Sequence, residues 1–299
     1  MLDLDGLRSL GKEGVSLGVV GDPVAHSISP AMQNAALAEM ARGDSSLKNW
    51  EYFKIQARAE DLREVIDLCR DRGFRGLNLT LPHKVEAMKH VDDVDPTAEK
   101  MGAVNTLVFD DGRVRGFNTD GYGLSRAITT EIGMTVSGRS VVLIGAGGAA
   151  RAICVQCIED GCRELWIVNR SADRLGALVD RIQEIYPDHA VKGFLPGEVA
   201  ATFPDDCLLI NVTSLGLKYD DPMPISAEQL ESAGYVYDVV YGPHETRLIA
   251  TAHQMGIPAA DGISMLGFQG ERSLARWTGR QPRADVMMAA AKRAVKLKS

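Results

Sequence analysis

The stretch VVLIGAGGAARAI, residues 141–153, decides the fold of the second half of this 299-residue chain. Four apolar residues predict a buried strand, and a glycine-rich turn then leads directly into a helical pattern. Gly145 permits a tight turn, Gly147 lets the backbone approach a pyrophosphate, and the small Ala150 allows the helix to pack closely on the strand. Because the free N–H groups of a helix N-terminus attract phosphate, the stretch predicts a dinucleotide-binding site.

The end of the next strand indicates which dinucleotide this site would bind. An NAD site places Asp or Glu about 20 residues after the glycines, where the carboxylate holds the ribose 2′-hydroxyl. Here the strand ELWIVN (164–169) is followed by Arg170, and Arg174 comes one turn later. A guanidinium group favours a 2′-phosphate, so the pattern predicts NADP. The alternative is that both arginines are solvated charges at the start of a helix.

Short apolar runs alternate with helical patterns on both sides of this stretch. In the first half the apolar run VSLGVVG (15–21) precedes the helical pattern SPAMQNAALAEM (29–40). In the second half VVLIG (141–145) precedes the helical pattern AARAICVQCIEDG (149–161), and the apolar run ELWIVN (164–169) follows. Such alternation is typical of βαβ units on a mostly parallel sheet. We therefore predict an α/β protein.

The length of the chain and one interruption of the pattern predict two domains. A chain of 299 residues exceeds the size at which a single hydrophobic core keeps growing. Residues 103–117 break the alternation with two strands, joined by a hairpin turn signal at residues 110–113. We place the boundary near residue 120, with a connecting helix after it, and expect two helices after residue 263 to pack back on the first half.

Composition limits the classes of protein and of site. A net charge of −7 opposes nucleic-acid binding. We see neither an apolar run of about 20 residues nor a secretory signal, so we expect a cytoplasmic protein without a membrane partner. Five scattered cysteines and six histidines without ligand spacing predict neither a disulfide framework nor a metal site. The pair Cys154 and Cys157 fits helix packing better than a redox or zinc motif.

Polar side chains in the first half stand where predicted strands end and helices begin. Ser27 and Ser29 lie at a helix start, where Ser29 fits the N-cap; Asn78 and Thr80 follow a short strand, and Asn105 follows another apolar segment. Ligands of open α/β sheets gather at the carboxyl ends of strands. Taken together, these groups predict a site for a hydroxylated small molecule. Taken singly, each can equally be a helix cap or a turn residue.

Lys84 and Asp120 are the charged candidates of the first half. A lysine alone is a poor base at neutral pH because its ammonium group holds its proton tightly. Beside a carboxylate it suits a proton donor to a carbonyl that is being reduced, and in the reverse direction the two groups would act as a coupled pair. From the residues alone, two unrelated surface charges are an equal alternative.

Nine motifs together resemble the shikimate dehydrogenase family, which includes quinate/shikimate dehydrogenases. In family order they are GDPVAHSISP (21–30), NLTLPHK (78–84), GAVNT (102–106), NTDG (118–121), GAGGAARA (145–152), NRSADR (169–174), NVTSLG (211–216), YDVVYGP (237–243) and DGISMLGFQ (261–269). The series covers about residues 15 to 295 and is far more specific than any one motif.

The resemblance implies a fold and an activity. It implies a substrate-binding and catalytic domain over residues 1–120, a Rossmann-type NADP-binding domain over 121–262, and C-terminal helices over 263–299 that return to the first domain. The implied activity is the reversible, NADPH-dependent reduction of 3-dehydroshikimate to shikimate, in the shikimate pathway of aromatic amino acid biosynthesis. The implied partner is therefore a small-molecule substrate, and we expect a monomer or homodimer. Residues 1–14 have no counterpart in the family core, and we interpret them as a flexible leader.

The matching motifs also imply the site residues, and no metal is among the expected groups. The implied catalytic pair is Lys84 and Asp120. The residues implied to bind the substrate carboxylate and hydroxyls are Ser27, Ser29, Thr80, Asn105, Tyr241 and Gln269. The residues implied to bind the cofactor are Gly145, Ala146, Gly147, Gly148, Ala149, Asn169, Arg170, Ser171 and Arg174, with Val239 and Gly262 at the nicotinamide end.

Two alternatives to this activity stay open. A quinate/shikimate or aminoshikimate dehydrogenase would share the fold and the charged pair, with a broader substrate range or use of NAD. Serines at both 27 and 29 resemble the members that prefer shikimate. A non-catalytic regulator that senses nicotinamide cofactors would keep the cofactor domain, but the retention of Lys84 and Asp120 argues against it.

Overall fold

A computed structural model describes residues 1–11, 14–198 and 203–297 of the chain. Within them the chain divides into two compact units. The first comprises Met1–Thr119 and Gly267–Leu297, and the second comprises Asp120–Leu266. Each unit is built on a sheet flanked by helices, so the predicted α/β class is confirmed.

The helices and strands follow the predicted alternation. The strands of the described residues are β1 (Val15–Gly21), β2 (Trp50–Gln56), β3 (Gly76–Leu79), β4 (Asp93–Val94), β5 (Thr106–Asp110), β6 (Arg113–Phe117), β7 (Ser140–Ile144), β8 (Glu164–Val168), β9 (Val191–Phe194), β10 (Cys207–Asn211), β11 (Ala233–Asp238) and β12 (Ala259–Ala260). The α-helices are α1 (Leu4–Ser9), α2 (Ser29–Met40), α3 (Leu62–Asp71), α4 (His83–Glu86), α5 (Pro96–Met101), α6 (Asp120–Ala127), α7 (Gly148–Glu159), α8 (Ala172–Ile185), α9 (Ala227–Leu230), α10 (Arg247–Gln254), α11 (Ile263–Thr278) and α12 (Ala284–Lys296).

The sheet of the first unit mixes parallel and antiparallel pairs in the order β2-β1-β3-β5-β6-β4. Strand β1 pairs in parallel with β2 and β3, whereas β5 pairs antiparallel with β3 and β6. The predicted hairpin joins β5 and β6, with Asp111 and Gly112 at φ values of 48° and 75°. Two successive positive φ values define the turn that fits the twist of a two-residue hairpin.

One hydrophobic cluster of the first unit lies where α3 packs on this sheet. The apolar residues of α3 recur at the spacing of one helix face. That face is buried against side chains such as Leu77 and Leu107. The buried residues of the helix are Leu62, Val65, Ile66 and Cys69.

Residues 1–11 differ from the flexible leader expected from the sequence. The N–H of Leu2 donates to the Lys54 carbonyl at 2.8 Å and its carbonyl accepts from the N–H of Gln56 at 2.8 Å, so the segment adds to the edge of β2. Leu7 is fully buried in the core of the first unit. The segment is therefore part of this unit's packing, and only residues 12 and 13 of the expected leader lie outside the described residues.

The sheet of the second unit is parallel throughout its described pairs, in the order β12-β11-β10-β7-β8-β9. The strand order reverses direction between β7 and β10, which is the switch point of a doubly wound Rossmann-type sheet. All residues of β7 and β10 are buried. This explains why these strands read as continuous apolar runs rather than as alternating ones.

The five cysteines are free and buried, and they belong to the packing of the two units. Burial raises the pKa of Cys154 and Cys157 well above the ordinary thiol range, so these neighbours on α7 stay protonated and unreactive. Within residues 1–11, 14–198 and 203–297, no helix is long and apolar enough to cross a membrane.

Candidate functional site

The glycine-rich loop of the second unit joins β7 to α7. Gly145 has a φ of +118°, a conformation that favours glycine, and a Cβ added there would lie in a tight space, 3.0 Å from Cγ2 of Val212. At Gly147 and Gly148, an added Cβ would have no described atom within 4 Å. The loop therefore leaves an open cradle at the N-terminus of α7, and this cradle fits a pyrophosphate. Of the five predicted loop residues, the turn contains Gly145, Ala146 and Gly147, and the first turn of α7 contains Gly148 and Ala149.

The segment after β8 lies beside this loop, because β7 and β8 pair in parallel up to Ile144 and Val168. The side-chain amide of Asn169 donates to the Ser171 carbonyl at 2.9 Å, and the Ser171 hydroxyl caps α8. Arg170 and Arg174 are exposed at the start of that helix. Exposed guanidinium groups at this end of β8, the strand beside β7, suit the 2′-phosphate of NADP.

The residues predicted for the nicotinamide end come together after β11. A Cβ added to Gly262 would lie 2.0 Å from the Val239 carbonyl oxygen, so only glycine permits this approach. The N–H of Gly262 also donates to the Val240 carbonyl at 3.2 Å. Tyr241 follows directly and is half-buried, and burial raises the pKa of its phenol.

Asp238 organises this segment, and the sequence reasoning gave it no role. Its carboxylate accepts from Asn211 Nδ2 at 2.8 Å, from the Val240 N–H at 3.0 Å and from the Thr246 hydroxyl at 2.7 Å. Burial raises the pKa of Asp238 to about 6. The available signal was an acid at the end of an apolar strand, since such a group must be hydrogen-bonded when it is buried.

In the first unit, the predicted polar residues follow neighbouring parallel strands. Val20 of β1 pairs with Leu79 of β3, so both strands end at the same edge of the sheet. Thr80 follows β3 and is half-buried. Helix α2 begins at Ser29 with Ile28 as its N-cap, so the predicted N-cap at Ser29 is one residue too late. The N–H of Ser29 donates to the Ser27 hydroxyl at 3.3 Å.

A buried hydrogen-bonded group, here called the amide cluster, lies in the first unit. Asn105 is its centre: Oδ1 accepts from the Thr119 N–H at 2.9 Å, and Nδ2 reaches Thr119 Oγ1 at 3.0 Å and Gln269 Oε1 at 3.3 Å. The structure thus brings together two predicted substrate ligands from distant parts of the chain. The members of the amide cluster are Asn78, Asn105, Thr106, Thr119, Gln269 and Ser273.

Asn78 forms the inner side of the amide cluster. Its Nδ2 lies 3.1 Å from Thr106 Oγ1 and 3.0 Å from Ser273 Oγ, and its Oδ1 accepts from the Tyr52 hydroxyl at 2.8 Å. Both polar side-chain atoms of Asn78 are therefore hydrogen-bonded within the protein. Sequence reasoning singled out Asn78 but missed Ser273 and Tyr52, because no local pattern joins them to the motif.

The backbones of Lys84 and Asp120 are both tied to segments of the amide cluster. Lys84 is half-buried on α4, and its carbonyl accepts from the N–H of Val104 at 2.8 Å, next to Asn105. Asp120 is 5% exposed and follows Thr119 directly in the chain. Their convergence as an acid–base pair stays a prediction.

The neighbour of Lys84, His83, is fully buried. Its Nε2 lies 2.9 Å from the Ala57 carbonyl oxygen, and burial lowers the pKa of the imidazole. His83 therefore anchors the start of α4 as a neutral group.

Comparisons with known proteins give the family. A model described as "Shikimate dehydrogenase substrate binding domain" matches residues 19–107, and one described as "Shikimate / quinate 5-dehydrogenase" matches residues 127–191. The shikimate dehydrogenase (NADP(+)) of Methanopyrus kandleri is 37% identical over 274 residues, which are 91% of this chain and 92% of that protein. The chain belongs to the shikimate dehydrogenase family.

Solved structures of relatives support the same assignment. The shikimate 5-dehydrogenase of Thermus thermophilus, in complex with NADP(H) and shikimate, matches with a TM-score of 0.80 and 35% identity over 94% of this chain and 99% of that one. The quinate dehydrogenase of Corynebacterium glutamicum, in complex with NAD, matches with a TM-score of 0.83 and 29% identity over 94% of this chain and 99% of that one. The family therefore includes relatives named for either substrate.

Proposed function

We propose that this protein catalyses the reversible, NADPH-dependent reduction of 3-dehydroshikimate to shikimate, as a cytoplasmic monomer or homodimer of the shikimate pathway. The observation that carries the proposal is the amide cluster, because it fixes the side chains of Asn105 and Gln269 and the N–H of Thr119, the residue before Asp120. The N–H of Val104, the residue before Asn105, holds the carbonyl of Lys84. Membership of the family supports the same substrate, since the matching relatives are named shikimate dehydrogenase (NADP(+)).

The second unit would hold the cofactor, which supplies the hydride when bound. The N–H groups at the start of α7 face the open cradle of the loop over 145–149, and they stabilise the pyrophosphate without side chains. Arg170 and Arg174 bind the 2′-phosphate, with Asn169 and Ser171 shaping the turn that presents them. Val239 and Gly262 line the nicotinamide end.

The polar groups of the first unit would orient the substrate. Ser27, Ser29 and Thr80 follow the ends of β1 and β3, and their hydroxyls suit a carboxylate or a ring hydroxyl. Asn105 hydrogen-bonds to Gln269, so these two proposed substrate ligands form one fixed unit that the substrate would meet already ordered. Fixed donors bind a polyhydroxylated ring with little loss of side-chain entropy. Tyr241 is the remaining proposed substrate ligand.

Lys84 and Asp120 would move the proton. Reduction of the ketone leaves a developing alkoxide on the substrate, and the ammonium group of Lys84 donates a proton to it. In the oxidation direction, Lys84 takes that proton back, and the carboxylate of Asp120 stabilises the resulting ammonium. A positioned acid of this kind contributes about 10²–10⁴ in rate.

The test is a screen of two substrates against two cofactors. Shikimate and quinate are each oxidised with NADP⁺ and with NAD⁺, and the absorbance of the reduced nicotinamide is followed. We expect the highest kcat/KM for shikimate with NADP⁺. A higher value for quinate with NAD⁺ would favour the quinate alternative, which the likeness to the Corynebacterium glutamicum enzyme motivates. No turnover in any combination would favour a regulator that does not catalyse.

A further inference from the structure

Gln33 links α2, which begins at the proposed substrate ligand Ser29, to α11, which carries the proposed substrate ligand Gln269. It lies on α2 one turn after Ser29, and residues four apart share a helix face. The side chain of Gln33 is fully buried, and its Nε2 donates to the carbonyl of Gly270 at 3.1 Å. Gly270 follows Gln269 directly on α11. A single amide thus joins α2 to α11 across 237 residues of sequence.

Side chains of two other helices pack closely around Gly270 of α11. A Cβ added to Gly270 would lie 2.4 Å from Met32 Cε, 3.1 Å from Gln33 Nε2 and 3.3 Å from Met287 Cε. Side chains of α2 and α12 therefore fill the space that a larger residue on α11 would need. The spacing of α2 from α11 is set here by close packing and by one hydrogen bond.

The amide of Gln33 is an unexpected group for packing alone. Its Oε1 is buried and has no hydrogen-bond partner within the described part of the chain. A buried acceptor without a partner destabilises a folded protein, and methionine would fill a similar volume without that cost. Methionine has no N–H group in its side chain, so it cannot donate a hydrogen bond to the Gly270 carbonyl.

We propose that Gln33 is a positioning residue for the substrate, which acts by fixing the distance between Ser29 and Gln269. The inference rests on the proposed function, since it takes both residues as substrate ligands. Loss of the amide leaves the carbonyl of Gly270 without this donor, so packing alone sets the spacing of α11 from α2. The substrate then meets Ser29 and Gln269 at a distance that is less strictly fixed. Lys84 lies on α4, so the effect falls on binding more than on proton transfer.

The experiment compares three variants with the wild-type protein in shikimate oxidation with NADP⁺ and in thermal unfolding. Gln33→Met removes the donor at similar volume, and Gln33→His retains an N–H donor. Leu37→Ala opens a cavity on the same helix, where Leu37 is 2% exposed, and serves as the packing control. For Gln33→Met we expect the KM for shikimate to rise about 3- to 10-fold. The KM for NADP⁺ should stay at its wild-type value, and the Tm should not fall.

The controls separate positioning from stability. Gln33→His should recover most of the shikimate KM, and Leu37→Ala should lower the Tm without a matching rise in that KM. An unchanged shikimate KM in Gln33→Met would overturn the inference. So would an equal rise of that KM in Leu37→Ala, because the rise would then follow from lost stability, measured as the fall in Tm, and not from the lost donor. A wild-type protein that does not oxidise shikimate would instead identify the proposed function as wrong.

Discussion

The N–H of Thr119 donates to the side-chain oxygen of Asn105 at 2.9 Å, and the side-chain nitrogen of Asn105 donates back to the hydroxyl of Thr119 at 3.0 Å. These two hydrogen bonds fasten Thr119, which lies between the end of β6 and Asp120, to Asn105, which follows Val104. Because both polar atoms of Asn105 are used and the residue is 2% exposed, the pair is held by the protein before any ligand arrives.

Replacement of Asn105 tests this arrangement. Asn105→Ala removes the acceptor of the buried Thr119 N–H, and a buried donor left unpaired costs about 1–3 kcal/mol. We therefore expect the free energy of unfolding to fall by about that amount, and kcat/KM for shikimate to fall at temperatures where the variant is folded. Chemical denaturation followed by circular dichroism gives the first quantity, and steady-state kinetics give the second.

Asn34 provides the matched control for that experiment. Its amide donates to the Tyr52 carbonyl at 3.0 Å and accepts from the Tyr52 N–H at 2.9 Å, so its two hydrogen bonds fasten α2 to β2. Asn34→Ala should lower stability by a similar amount with a smaller effect on kcat/KM. Equal kinetic losses in the two variants would contradict a specific role for Asn105.

Lys84→Ala tests the proton donor. We expect kcat to fall by about 10²–10⁴, because the developing alkoxide loses its positioned acid. The affinity for NADPH, measured by fluorescence titration, should stay near that of the wild-type protein. Lys89→Ala is the control, since Lys89 is exposed and forms its ion pair with Glu86 at 2.9 Å. A loss of kcat under tenfold in Lys84→Ala would remove Lys84 from the proposed chemistry.

The sequence predicted the features that local patterns encode and missed those that long-range contacts create. The turn at Gly145 and the hairpin at Asp111 need particular backbone conformations, and those conformations restrict which residues can occupy them. Leu7 gave no such signal, because its burial depends on α3, more than fifty residues later in the chain. The contact of Asn78 with Ser273 spans 195 residues, a distance over which no sequence periodicity carries information.

Arg170→Ala tests the choice of cofactor. A charge-assisted hydrogen bond to the 2′-phosphate is worth about 1.5–3 kcal/mol, so its loss should cut the preference for NADP over NAD by about 10- to 150-fold. The measured quantity is the ratio of kcat/KM values with the two cofactors. Arg113, exposed on β6 of the first unit, supplies the control variant Arg113→Ala, which should leave the ratio unchanged. An unchanged ratio in Arg170→Ala would assign Arg170 to the solvated surface.

The buried carboxyl of Asp238 predicts a pH dependence of stability. Its pKa is raised from 3.8 to about 6 because burial disfavours the charged form. Between about pH 4 and pH 6 the folded state therefore binds a proton that the unfolded state has released. The contribution of Asp238 to stability is greatest below about pH 4 and is lost as the pH rises through about 6, a change on the order of 2–3 kcal/mol.

The variant Asp238→Asn isolates this contribution, since it lacks the titrating group while every other ionisable residue is retained. We expect the free energy of unfolding of the wild-type protein, relative to Asp238→Asn, to decrease from pH 4 to pH 6 and to level off above about pH 7. Denaturant titrations at a series of pH values measure the difference. A flat difference across this range would mean that the hydrogen bonds from Asn211, Val240 and Thr246 keep the carboxylate ionised in spite of its burial.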